Sequence, residues 1–155
     1  GSKVFLGVNT LNLDAKGRLA IPAKHRESLA EMAASRVVVT INPREHCLWL
    51  YPENEWRDIA RKVSRLPTLK RQNQLLQRLL LGHASELEMD SQGRILLATE
   101  LREYAGMDKR VAIVGQGHKF EIWSEASWTE NRESWMAEAN QTDSELSEGL
   151  ESMTL

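Results

Sequence analysis

The feature that most constrains the fold is an internal repeat. Three segments of the first half recur in the second half, at offsets of 76, 74 and 72 residues: 12–21 recurs as 88–97, 36–39 as 110–113, and 48–51 as 120–123. The offset shrinks along the chain, which indicates short deletions in the loops of the second copy. Because two copies of one unit are present, any structure assigned to the first copy must also suit the second.

Each copy has the pattern of a small β-β-α-β-β unit. In the first copy, apolar and polar residues alternate on both sides of the Asp14-x-x-Gly17 turn, which predicts two strands joined by that turn. Pro22 then favours the start of a helix over Ala23–Ala33, and residues 37–41 and 48–51 predict a second strand pair. A unit of about 45 residues is small for an independent core. We therefore expect the two units to intertwine, either within the chain or between chains.

The sequence divides into four expected segments. These are a first repeat over 4–52, a helical connector over 53–82, a second repeat over 83–124, and a C-terminal helix with an acidic tail over 125–155. Apolar stripes predict connector helices over 53–66 and 68–81, and the first of these recurs over 125–139. The last sixteen residues, 140–155, are acidic, serine-containing and weakly periodic, so we expect them to lack stable structure.

The charge is distributed unevenly between the halves. Residues 1–82 carry 14 Lys and Arg against 7 Asp and Glu, a net +7, whereas residues 83–155 carry 6 against 15, a net −9. Part of the negative charge lies in the acidic tail. A polyanionic partner for the first half is one interpretation, and a chance imbalance is the other.

Enzyme, metal and membrane functions have little support in the sequence. The four histidines show no zinc-ligand spacing, and the nine glycines form no P-loop, dinucleotide fingerprint or nucleophile elbow. We expect no catalytic residues, no metal and no cofactor. No apolar run approaches the ~20 residues of a membrane helix, and a single cysteine, Cys47, fits a reducing compartment, so we expect a cytoplasmic protein.

The best functional candidate is the turn of the first copy. Asp14, Gly17 and Arg18 recur as Asp90, Gly93 and Arg94, which favours a structural role in both turns, such as an ion pair across the turn. The copies differ in charge, since 14–26 carries a net +3 and 90–102 a net 0. The difference comes from two substitutions: Lys16 and Lys24 in the first copy are replaced by Gln92 and Glu100 in the second, whereas Arg26 recurs as Arg102. We expect the first copy to meet phosphate and the second to hold the assembly together.

Three motifs together carry a resemblance to a known family. They are the sequence Leu-Asp-x-Lys-Gly-Arg-Leu-x-Ile-Pro at 13–22, the repeated Asp90-x-x-Gly93-Arg94, and Arg-Leu-Leu-Leu-Gly-His-Ala at 78–84. This combination resembles the MraZ family, regulators of the bacterial division and cell-wall gene cluster, over essentially all of 4–155. One departure is Leu6, because the family commonly has Arg at that place.

The resemblance implies a mixed α+β fold. It consists of two AbrB-like, SpoVT-type swapped-hairpin β-β-α-β-β units forming a β-barrel core, with packed flanking helices. It also implies a homo-oligomeric ring of many subunits that binds double-stranded DNA at short tandem G-rich repeats in its own promoter, represses there, and associates with the nucleoid. In this family the first turn faces DNA, which here means Asp14, Lys16 and Arg18, and the charge comparison adds Lys24 and Arg26.

Two other functions remain open from the sequence. The first is a protein-interaction module, similar to an antitoxin, since AbrB-type hairpins also occur in antitoxins. The second is a hydrolase that uses paired carboxylates, such as Glu86 with Glu88 or Asp14 with Asp90, which would require a pocket and raised carboxyl pKa values.

Overall fold

The computed structural model describes residues 4–141 and 143–153. The strands are β1 (Val8–Asn12), β2 (Arg18–Ala20), β3 (Arg36–Ile41), β4 (Leu48–Pro52), β5 (Ser85–Glu88), β6 (Arg94–Leu96), β7 (Arg110–Gly115) and β8 (Phe120–Ser124). The helices are α1 (Ala23–Ala33), α2 (Glu53–Ser64), α3 (Arg71–Leu76), α4 (Thr99–Tyr104), α5 (Glu125–Gln141) and α6 (Asp143–Ser152), and α3 runs directly into a π-helical turn (Gln77–Leu81).

The two copies fold alike, as the sequence predicts. The order β1-β2-α1-β3-β4-α2 of the first copy recurs as β5-β6-α4-β7-β8-α5 in the second. The mixed α+β class with two related β-β-α-β-β units is therefore confirmed.

The copies intertwine within the chain by exchanging strands. A six-stranded antiparallel sheet has the order β1-β7-β8-β4-β3-β5, so the first strand of each copy pairs with the third strand of the other. The short strands β2 and β6 form a separate antiparallel ribbon, also between copies. This crossing is the swapped arrangement that the resemblance implied.

The sheet is open and not a closed barrel, which corrects one part of that expectation. Strands β1 and β5 lie at its two edges, and each pairs with one neighbour only. Closure needs a hydrogen-bonded pair between the two edge strands, and these strands stand first and last in the six-stranded order.

The main core lies between one face of the sheet and the β2–β6 ribbon. Leu19, Ile21, Ile95 and Leu97, from the two crossed strands and the residues after them, are fully buried there. A second cluster covers the other face of the sheet, where Trp56 and Val63 of α2 pack with Val38, Tyr51 and Leu80. Alternate residues of β3 contribute to both clusters, which explains its almost uninterrupted apolar sequence.

The motif at 78–84 builds the π-helical turn of the connector. The buried hydroxyl of Thr40 donates to the carbonyl of Leu80 at 2.7 Å, and Nδ1 of His83 lies 2.8 Å from the carbonyl oxygen of Leu79. A Cβ at Gly82 would lie 2.2 Å from the carbonyl oxygen of Arg78. Thr40 and His83 therefore contact carbonyl groups of the widened turn, and Gly82 avoids a clash with it, so the motif has a structural explanation.

The C-terminal unit, which begins at Glu125, is compact by itself. Within α5 the rings of Trp128 and Trp135 pack edge-on, with centroids 5.6 Å apart. The prediction that 140–155 lacks structure is wrong over α6, while residues 142 and 154–155 lie outside the described residues. Glu and Leu favour helix intrinsically. The weak hydrophobic periodicity of this segment does not reflect that preference, so periodicity alone did not predict the helix.

Candidate nucleic-acid interface

The turn of the first copy, called loop 1 (residues 14–18), is organised by the side chain of Asp14. Its Oδ1 accepts hydrogen bonds from the backbone N–H groups of Lys16 and Arg18, both at 2.9 Å. The backbone N–H of Gly17 donates to the carbonyl of Asp14 at 3.0 Å, and Gly17 has φ +86°. An L side chain is strained at that φ, so glycine is required for this turn.

The same carboxylate also holds the Arg18 side chain. Nε of Arg18 donates to Oδ2 of Asp14 at 2.6 Å, and about a third of each side chain is exposed. Hydrogen bonds from Arg18, first from its backbone N–H and then from its side chain, lower the pKa of Asp14 to about 2. The hydrogen bond from Nε to Asp14 therefore holds the Arg18 side chain in a fixed orientation at the surface of the loop.

The turn of the second copy, loop 2 (residues 90–94), has the same geometry. Oδ1 of Asp90 accepts from the N–H groups of Gln92 and Arg94 at 2.9 and 2.8 Å, and Nε of Arg94 donates to Oδ2 at 2.8 Å. Gly93 has φ +74°. The Asp-Gly-Arg set thus stabilises the turn in both copies, and any functional difference must come from the residues around it.

Each loop is supported by an arginine of the other copy. Arg102 of α4 lies over Gly17, and the N–H of Leu97 donates to the Gly17 carbonyl at 3.1 Å. Conversely, Arg26 of α1 lies over Gly93 and donates from Nε to the Ile21 carbonyl at 2.5 Å. The structure therefore places Arg26 at loop 2 and not at loop 1.

Lys24 also lies away from loop 1. Its Nζ approaches Gly7, just before β1, whereas loop 1 follows the other end of β1. Five strand residues at ~3.3 Å each separate these places by roughly 17 Å. Of the five predicted DNA-binding residues, the structure brings Asp14, Lys16 and Arg18 together and leaves Lys24 and Arg26 elsewhere.

Two basic residues of the second copy flank loop 1 and were missed from the sequence. An open groove of about 460 Å³ beside the loop is lined in part by Arg102, Asp108 and Lys109. The N–H of Leu13 donates to the Lys109 carbonyl at 2.8 Å, which fixes that residue next to the loop. The repeat could have drawn attention to Lys109, because the offset of 74 aligns it with Ser35. Ser35 lies beside loop 2, as Lys109 lies beside loop 1.

The two ends of the β2–β6 ribbon consequently differ in charge. Loop 1 and its groove carry a net +2, from Lys16, Arg18, Arg102 and Lys109 against Asp14 and Asp108. Loop 2 and its surroundings carry a net 0, from Arg26 and Arg94 against Glu27 and Asp90. A positively charged loop with an oriented arginine is suited to contact the phosphates and base edges of nucleic acid.

The geometry offers no catalytic carboxylate pair at the loops. Because β2 and β6 are antiparallel and each loop precedes its strand, Asp14 and Asp90 lie at opposite ends of the ribbon. In the part of the chain that the structure describes, no three His, Cys, Asp or Glu side chains are placed to share a metal ion. Among the same residues, no helix combines the length and the apolar character that a membrane crossing requires.

Comparison with known proteins gives a consistent result along the whole chain. A family model described as "MraZ protein, putative antitoxin-like" matches residues 4–79 and again 80–147. A protein of Halorhodospira halophila named Transcriptional regulator MraZ is 51% identical over 152 residues, covering 98% of this chain and 100% of that protein. Proteins of the same name from Thioalkalivibrio sulfidiphilus and Coxiella burnetii are 49% and 44% identical, each over 152 residues with the same coverage.

Proposed function

The chain belongs to the MraZ family of transcriptional regulators, and from that membership and the geometry of loop 1 we propose that it regulates transcription by binding double-stranded DNA sequence-specifically through loop 1. Arg18 is the base reader in this proposal, and Lys16 contacts phosphate. Asp14 takes part by orienting Arg18. This places the protein among non-enzymatic regulators.

The observation that supports the proposal is that loops 1 and 2 have the same geometry but different charges. Loops 1 and 2 share their hydrogen bonds to within about 0.2 Å, so structural needs alone do not explain why loop 1 has Lys16 where loop 2 has Gln92. Arg can donate two hydrogen bonds to O6 and N7 of guanine in the major groove. An arginine held by one nitrogen keeps its terminal amino groups available for that contact.

A single copy of loop 1 would bind DNA weakly, because each neutralised phosphate contributes a modest and salt-dependent part of the affinity. We propose that the chain forms a homo-oligomeric ring in which several copies of loop 1 bind successive short repeats. Linked loops raise one another's effective concentration at the DNA. Tandem operator repeats match such an array of identical loops.

For the regulated genes, we propose repression of the division and cell-wall gene cluster, including the protein's own promoter, in the cytoplasm at the nucleoid. This extends the family's implied role to the present chain. Binding at a promoter represses by occupying DNA that RNA polymerase must contact.

The test is a salt titration of binding to the promoter upstream of its own gene, with Arg18→Ala and the matched variant Arg94→Ala. We expect the wild type and Arg94→Ala to lose affinity steeply with salt and to prefer the promoter over scrambled duplex. Arg18→Ala should lose that preference while remaining oligomeric. Equal loss of preference in both variants, with the oligomer intact, would refute the assignment of DNA contact to loop 1.

The second candidate is a protein-interaction module, which the antitoxin-like wording of the family description favours. That function requires a folded oligomer without sequence preference for promoter DNA. The same titration therefore separates the two, since an intact wild-type oligomer that binds promoter and scrambled DNA equally weakly supports the interaction module.

A further inference from the structure

We propose that Lys109 of the second copy contacts the DNA phosphate backbone beside loop 1, so that the interface is assembled from both copies of the unit. This inference rests on the proposed function, because it adds a phosphate contact to the surface on which Arg18 reads bases. Nothing in the sequence of the first copy alone identifies it.

The position of Lys109 follows from the strand exchange. Strand β1 pairs with β7, and the hydrogen bond from the Leu13 N–H to the Lys109 carbonyl continues that pairing to the residue before loop 1. Lys109 therefore lies at the side of the loop, while Lys16 lies within the turn. Lys109 lines the groove beside loop 1 together with Asp14, whose carboxylate holds the Arg18 side chain.

The charge of Lys109 is available for an external anion. Its side chain is exposed, and in the part of the chain that the structure describes no carboxylate lies within ion-pair distance of its ammonium group. An unpaired ammonium beside an oriented arginine is suited to a phosphate that flanks the bases being read.

The other end of the β2–β6 ribbon supplies an internal comparison. Ser35 occupies the position equivalent to Lys109, and it lies beside loop 2 through the hydrogen bond from the Met89 N–H to its carbonyl, at 2.9 Å. The hydrogen bond through the backbone carbonyl is therefore shared by the two ends, although Ser35 has φ +64° at the end of α1 and Lys109 is not in that conformation. The shared hydrogen bond uses only the carbonyl and makes no demand on the side chain, so the exposed lysine is assigned to binding.

Arg102 has a different role at the same site. Its Nε donates to the Leu97 carbonyl at 3.0 Å and its Nη2 to the Thr99 hydroxyl at 3.1 Å, while the guanidinium covers Gly17. These bonds make it a positioning residue that keeps loop 1 in shape. Lys109, which has no such bonds, is the contact residue.

The experiment compares Lys109→Ser with Lys62→Ser. Lys62 is an exposed residue of α2, which packs on the opposite face of the sheet, so its removal changes the net charge equally without altering the proposed interface. Affinity for a promoter duplex and a scrambled duplex is measured from low to high salt, together with Tm.

We expect Lys109→Ser to lower the affinity for both duplexes by the same factor. The slope of log affinity against log salt concentration should become shallower by about 0.9 for each bound copy. Promoter preference and Tm should remain at wild-type values, and Lys62→Ser should keep the wild-type slope. Lys109→Ser indistinguishable from Lys62→Ser would overturn the inference while leaving loop 1 readout intact. A wild type that binds neither duplex would overturn the proposed function and this inference together.

Discussion

Replacing Gly17 by alanine tests how loop 1 is held together. Gly17 has φ +86°, and its Cβ would lie 2.7 Å from Cζ and 2.8 Å from Nε of Arg102. The backbone contribution alone is about 1–2 kcal/mol for an L residue in the left-handed region. Displacement of the Arg102 guanidinium adds to it, because that side chain is itself bonded to the Leu97 carbonyl.

The expected effect is measurable by thermal unfolding. For a chain of this size, 1 kcal/mol shifts Tm by about 2–4 °C, so we expect Gly17→Ala to lower Tm by about 2–8 °C from the backbone contribution. Protein concentration must be equal in all samples because oligomerisation shifts apparent stability. Promoter binding at a temperature where both proteins are folded should also fall, since the loop that orients Arg18 is distorted.

A double-mutant cycle separates backbone strain from the steric clash. In an Arg102→Ala background the atoms that Cβ would meet are removed, so Gly17→Ala should cost less stability there than in the wild type. The matched control is Gly93→Ala, whose Cβ would lie 2.2 Å from Nε of Arg26. This variant should lose stability and keep promoter binding. An unchanged Tm for Gly17→Ala, or a cost that is the same in both backgrounds, would refute the cross-copy support of loop 1.

Two further predictions concern pH. The folded pKa of Asp14, about 2, lies below the usual 3.8, so the stabilisation from its carboxylate is complete above pH ~4 and is lost as pH falls towards 2. Asp14→Asn should therefore have a lower Tm than the wild type at pH 7, and its Tm should decline less steeply in acid. Parallel curves of Tm against pH for the two proteins would contradict this. Burial lowers the pKa of His25, which packs edge-on against Phe5 and Phe120. The uncharged form is therefore favoured in the fold, stability should fall as pH drops below the usual value of 6.5, and His25→Leu, which copies Leu101, should remove that part of the decline.

Local structure was predictable from the sequence because its causes are local. Pro22 predicts the start of α1, and the structure has the helix over Ala23–Ala33 as predicted, with an αL residue at Ala34 ending it. The β3–β4 pair was likewise predicted from two apolar runs separated by a short polar link. The turn residues Asp14 and Gly17 identified loop 1 through hydrogen bonding and positive φ, both of which depend on residues within the turn.

The partners of the strands were not predictable from the same evidence. Alternation indicates that β1 and β2 are strands, but their partners β7 and β6 lie about 75 to 105 positions away along the chain. The comparison of 14–26 with 90–102 assumed that a loop and the helix after it belong to one site. The exchange breaks that assumption, which is why Arg26 was assigned to loop 1 and Lys109 was missed.

The strand exchange also explains which positions differ between the copies. Arg26 covers Gly93 and Arg102 covers Gly17, so loss of either arginine would disturb the loop of the other copy. Both arginines and both glycines are accordingly present. The exposed side chains around the loops have no such reciprocal contact, and these carry the differences in charge, as at Lys16 and Gln92. Mutual support therefore fixes the geometry of both loops and leaves their exposed side chains free to differ. This allows the proposed DNA contact to lie at one end of a symmetric framework.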